Sequence, residues 1–167
     1  PVTLGDFNSL SVLVTLIGSF LTVALMALRA GRNDEAVAFF RRVRAMTADG
    51  SDRNLYAAAT RQIFTQSLAL GDALLVAKER TRAGEYYRSA VETAADNDER
   101  VVARLRLADC LLGEGNYRGA LEIEHLLLKD HGDLIVEGEA LNAVVRRKID
   151  ETIAAGGKEA YREFDAT

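Results

Sequence analysis

One small-residue pattern occurs three times in this chain, and it restricts the fold more than any other feature. Val23-Ala24 is followed by Gly31, Ala36 and Phe40; Leu70-Gly71 by Ala83, Tyr87 and Ala90; Leu107-Ala108 by Gly115, Tyr117 and Ala120. Two antiparallel helices approach closely only where side chains are short. Ala24 with Ala36, Gly71 with Ala83, and Ala108 with Ala120 are therefore placed to face each other across a hairpin. Larger residues at helical spacing, Phe20 and Phe40, Leu74 and Tyr87, Leu111 and Leu127, fill the space beside each pair. The expectation is an all-α stack of helical hairpins.

Punctuation places the helices. Gly31 with Asn33, Asp49-Gly50-Ser51, Asp96-Asn97-Asp98, Gly113 to Asn116, His131-Gly132-Asp133 and Gly156-Gly157 are stop and start signals. Ser51, Asp98, Asn116 and Asp133 are the expected N-caps. The boundary at Glu79-Arg80-Thr81 has no glycine and is the weakest. Helices are expected at about 7–30, 33–48, 52–79, 81–95, 98–113, 117–130, 134–155 and 158–165. Pro1 is the only proline, so no helix is interrupted from within. A chain of 167 residues with this pattern is expected to form one domain, 1–167, with hairpins at about 7–48, 52–95 and 98–130 and a cap at 134–165.

The pattern resembles the tetratricopeptide repeat, W-x2-L-G-x2-Y followed by A-x3-F and a closing proline. Leu70-Gly71-Asp72-Ala73-Leu74 running to Ala83, Tyr87 and Ala90 is the best match. Arg106 to Ala120 is nearly as good, and Phe20, Ala24, Gly31, Ala36 and Phe40 form the third. Together they cover about two thirds of the chain. No repeat has its closing proline, and the hairpin alanines are 47 and 37 residues apart where the family has 34. The polar, alanine-rich segment 51–63 would absorb the excess by lengthening the third helix. A fourth repeat begins to form at Ala160 and Phe164, but Lys148 and Glu151 occupy positions where core residues belong.

The resemblance implies a concave groove lined by the first helix of each hairpin. Carried over residue by residue, that face presents Leu21, Leu25 and Leu28; Leu68, Asp72 and Leu75; and Leu105, Arg106, Asp109 and Leu112. Family members that grip acidic chaperone tails use lysine and asparagine at groove positions where this chain has leucine and aspartate. A leucine-lined groove suits an apolar or amphipathic helix instead. The implied function is a protein–protein interaction module. Its partner is a helical segment, a second copy in a homodimer, or the chain's own seventh helix through Leu141, Val144, Val145 and Ile149. Small secretion chaperones of the same repeat family are a related reading.

Residues able to do chemistry are few. Cys110 is the only cysteine and sits among small residues on an amphipathic helix, which suits a packed thiol in a reducing, cytoplasmic setting. His125 and His131 are six residues apart, a spacing that suits no metal site. Gly113-Glu114-Gly115 lacks the strand and the Gly-Lys-Ser/Thr of a phosphate loop. Asp72 and Asp109 have no third group to tune them as an acid–base pair. No enzymatic activity, cofactor or metal is expected. A net charge of −4, with basic runs only at 41–44 and 146–148, argues against a nucleic-acid partner.

One feature competes with the soluble reading. Phe7 to Leu28 carries no charge over 22 residues, and Arg29, Arg32, Arg41, Arg42 and Arg44 follow it, as at the cytoplasmic end of a membrane span. Yet Phe20, Ala24 and Ala27 carry the hairpin register, and a helix packed on Ala36 and Phe40 cannot face lipid on every side. A buried or partner-covered first helix is the expectation. The alternative is a membrane-tethered assembly factor anchored by residues 7–28, with the repeats in the cytoplasm.

Overall fold

The computed structural model describes residues 4–131, 134–136 and 138–165, and side chains within 12–130, 134–136 and 138–163. The described residues are predominantly helical: α1 Leu4–Arg29, α2 Asn33–Met46, α3 Arg53–Val76, α4 Arg80–Thr93, α5 Asn97–Gly113, α6 Tyr117–His131, α7 Leu141–Thr152 and α8 Lys158–Asp165. Its residues group into two compact units, 1–70 and 71–167.

The turns after α1, α3 and α5 are the same turn. Arg32 N–H reaches Ala27 O at 2.9 Å and Gly31 N–H reaches Leu28 O at 3.0 Å. Glu79 and Lys78 repeat this to Leu74 and Leu75, at 2.9 and 3.0 Å, and Asn116 and Gly115 to Leu111 and Leu112, at 2.9 and 3.0 Å. This double bond is the Schellman cap, and it needs a left-handed residue at its centre. Gly31 and Gly115 supply it at φ 71° and 77°, whereas Lys78 adopts φ 63° without glycine's freedom. That strain costs about 1 kcal/mol, and it explains why this boundary is the hardest to read. The central residue falls seven positions after the small contact residue in each case, at Ala24, Gly71 and Ala108.

In the first unit, Ala24 and Ala27 of α1 meet Ala36, Val37, Phe40 and Val43 of α2 and Ala59 and Ile63 of α3, all essentially inaccessible. The short side chains let the helices close in, and Phe40 fills the volume beside them. Ile17, Phe20, Leu21 and Leu28 are half-buried around this core.

In the second unit, Gly71 is required by Tyr87. A Cβ at Gly71 would lie 2.5 Å from the Tyr87 ring, so the closest approach is to that ring, one turn beyond Ala83. Ala83, Tyr87, Ala90, Ala108 and Ala120 are all buried. A separate cluster unites Val101, Leu121 and Leu127 with Leu141, Val145 and Ile149 of α7. The C-terminal helices thus cover the α5–α6 hairpin.

Three local expectations change. The predicted helix at 134–155 begins instead with a two-stranded ladder, β1 Ile135–Val136 against β2 Glu139–Ala140. β-Branched residues favour the extended start, Gly138 turns at φ 85°, and Leu141 N–H closes onto Leu134 O at 2.8 Å. The N-cap of α5 is Asp96, whose Oδ1 accepts Glu99 N–H at 2.8 Å, two residues before the expected Asp98. Asp52 replaces Ser51 in the same role, accepting Leu55 N–H at 2.9 Å. Asn116 caps as expected, taking Gly119 N–H at 3.1 Å. The expected cap Asp133 and the packing of Phe164 lie outside the described residues.

Candidate functional site

The expected groove residues fall in both units. In the first, Leu21 is half-buried on the α1–α2 core, Leu25 is exposed and Leu68 is half-buried. In the second, Leu75 and Leu112 are half-buried. Asp72 accepts a 2.7 Å hydrogen bond from the Tyr87 hydroxyl and lies 3.7 Å from Arg106 Nε. Burial and the neighbouring Asp72 carboxylate both push the Tyr87 phenol far above its ordinary range. Tyr87 therefore stays a neutral donor, and Asp72 holds it in place.

Leu105, Arg106 and Asp109 converge on one open cleft of about 260 Å³ between α5, α7 and the β1–β2 turn. Val102, Leu105, Val136 and Val144 supply apolar wall. Each charged side chain on the rim has an opposite partner: Asp109 pairs with Lys148, Arg147 reaches both oxygens of Glu139 at 3.2 and 3.1 Å, and Arg106 approaches Asp72. Such partly exposed pairs contribute little to stability, and the cleft they line is as much charged as apolar. Leu105 also packs on the Leu141–Val145 cluster, so α7 occupies part of the expected groove. Leu75 and Leu112 do not line this cleft.

Lys148, where a fourth repeat would place a core residue, pairs with Asp109 instead: its side chain is only 19% exposed and its ammonium is on Asp109. Glu151, the other break in that pattern, is exposed. Glu124 drew no notice in the sequence. It is 1% exposed, with Oε1 accepting the Thr152 hydroxyl at 3.0 Å and Oε2 without a hydrogen-bond partner among the described residues. Burial raises its carboxyl above the ordinary glutamate range, opposed by the Thr152 bond and by Lys148. Its signal was positional: four residues after the hairpin alanine stand Phe40, Tyr87 and Glu124, so the third hairpin carries a carboxyl where the others carry a ring.

Cys110 is buried, with its thiol donating to Arg80 O at 3.1 Å, and burial raises its pKa. A buried thiol with a raised pKa is a poor nucleophile. Among the described residues, no group of three His, Cys, Asp or Glu side chains is arranged to hold a metal ion.

The first helix is not buried by the described residues, so of the two expected shelters a partner is the one still open. The stretch Val12–Arg29 has a mean hydropathy of 2.1, yet only 11% of it is buried. Val12, Val14, Leu16, Val23, Leu25 and Met26 are exposed. The hairpin register holds through Ala24 and Ala27, but among the described residues only that face is covered. No protein-family model matches the sequence, and no curated protein does.

Proposed function

We propose that the chain is a non-enzymatic protein–protein interaction module of the tetratricopeptide-like hairpin type, working in the cytoplasm or at its membrane boundary. It would hold an amphipathic helical segment against the α5–α7 cleft. The carrying observation is that cleft: Val102, Leu105, Val136 and Val144 beside charges already paired within the chain. Paired, partly exposed charges orient a ligand better than they move protons, and the apolar wall residues accept the anchors of a helix. The three turns, with the same pair of hydrogen bonds and a left-handed central residue, support the repeat reading.

Selection of peptides from a random display library on the full chain tests this. Enriched peptides should carry apolar residues at i, i+3, i+4 and i+7. Val102→Glu should weaken them by about tenfold, because Val102 is exposed on the cleft wall and is not needed for packing, unlike Leu105. Enriched peptides that ignore Val102→Glu would place the binding surface elsewhere. A second reading, the membrane-tethered assembly factor, is favoured by a separate observation, the exposed apolar surface of α1.

A further inference from the structure

Resting on the membrane reading, the length of α1 suggests a span, but its partner helix opposes one. Val12, Leu16, Phe20 and Val23 form a stripe at helical spacing; Val12, Leu16 and Val23 are 58%, 45% and 40% exposed. Phe20 packs against Phe39 of α2 at 6.0 Å between ring centroids, and the Arg42 guanidinium lies 5.4 Å from both rings. Phe20 precedes Arg29 by nine residues, about 14 Å of helix, which is about half of a bilayer's ~30 Å hydrocarbon core. A span ending at Arg29 would therefore carry Arg42 to mid-membrane, where an arginine is strongly disfavoured.

Laid flat, the same hairpin meets a bilayer without that conflict. We propose that the α1–α2 hairpin is an interfacial anchor for anionic lipid, lying in the membrane plane with the Val12–Leu16–Val23 flank at the acyl boundary and its arginines at the phosphates. From Arg29 to Arg44 there are five arginines against two carboxylates, Asp34 and Glu35, and Glu35 is paired with Arg32 at 2.8 Å. This is the charge complement of a phosphate layer. The outer face also spends hydroxyl donors internally: Ser19 donates to Thr15 O at 2.9 Å and Thr22 to Gly18 O at 2.8 Å.

The full chain is tested on vesicles of phosphatidylcholine alone and of phosphatidylcholine with phosphatidylglycerol. It should partition to the anionic vesicles preferentially, and salt should release it. Arg42→Gln should lower that partitioning about fivefold, and Leu16→Glu with Val23→Glu by about tenfold or more, with helicity by circular dichroism unchanged because these side chains lie outside the core. The chain has no tryptophan, so Leu16→Trp is a single reporter. Its emission should shift to the blue on anionic vesicles and be quenched by shallow rather than mid-bilayer lipid quenchers. Carbonate-resistant association with mid-bilayer quenching would overturn the flat pose and leave a span. No association with either vesicle, in a chain that is dimeric in solution, would overturn the membrane reading itself and assign the face to a second copy.

Discussion

The two units solve the same packing problem with different chemistry. Four residues after its hairpin alanine, the first unit places Phe40, which fills space and asks nothing of its neighbours. The second places Tyr87 and then Glu124, and each requires a polar partner: Asp72 for Tyr87 and Thr152 for Glu124. A ring in an apolar core specifies volume, whereas a buried hydroxyl or carboxyl specifies which group must come beside it. The second unit thereby fixes α7 against α6 through a particular pair of atoms. The first unit closes its core with apolar volume alone, and the outer flank of α1 stays exposed.

If this contrast is real, removing volume should matter most in the first unit. Phe40→Ala should destabilise the chain by about 3–5 kcal/mol in urea unfolding, since Phe40 is 1% exposed among close neighbours. A loss under about 1 kcal/mol would mean that α1 and α2 are not tightly packed.

Overpacking the second unit comes next. Gly71→Ala drives a methyl into the Tyr87 ring, and Ala120→Leu inserts a branched chain at a fully buried position; each should cost about 1–3 kcal/mol. Unchanged stability in both variants would undo the close hairpin packing on which the repeat rests.

Glu124 sharpens the comparison through pH. Its raised carboxyl pKa means that the folded chain holds a proton where the unfolded chain has released it. Its contribution is most favourable below the ordinary glutamate pKa. It declines as pH rises from there through the raised folded value, and is level above that. Glu124→Gln removes this decline, so the variant should gain stability over the parent at neutral pH relative to acid. Parallel stability–pH curves for parent and variant would show that folding leaves the carboxyl's pKa unshifted. The smallest effect is Tyr87→Phe, about 1 kcal/mol for one hydrogen bond to a half-exposed carboxylate, read by the same unfolding curves.

Much of the helical layout was legible because small residues and glycines leave local marks. Ala24, Ala36, Ala83, Ala108 and Ala120 are buried where helical spacing places them, and Gly31 and Gly115 end their helices through a conformation that glycine adopts freely. Other outcomes depend on competition among neighbours. Asp96 and Asp98 are both good caps, and the choice falls to the residue whose carboxylate faces the Glu99 amide. The start signal at His131-Gly132-Asp133 opens a helix at 134, but a two-residue strand pairing takes 135–136 and 139–140. For the site, Leu105, Arg106 and Asp109 come from the groove positions that the tetratricopeptide resemblance implies. Lys148, Arg147, Glu139 and Thr152 come from elements far along the chain, and only the tertiary fold brings them in. The exposure of α1 was hidden for a similar reason: hydrophobicity shows that a helix avoids water, and says nothing of what shelters it.

The recurring turn makes its segment an interchangeable part. Ala27–Asn33, Leu74–Arg80 and Leu111–Tyr117 have equal lengths and the same pair of cross-turn bonds, so one could be transplanted for another without altering the helices it joins. Lys78 is the single non-glycine at the pivot. A chain rebuilt with the Gly115 version there would keep its connectivity and lose a strained residue, and the hairpins could be lengthened or recombined at these joints as separable modules.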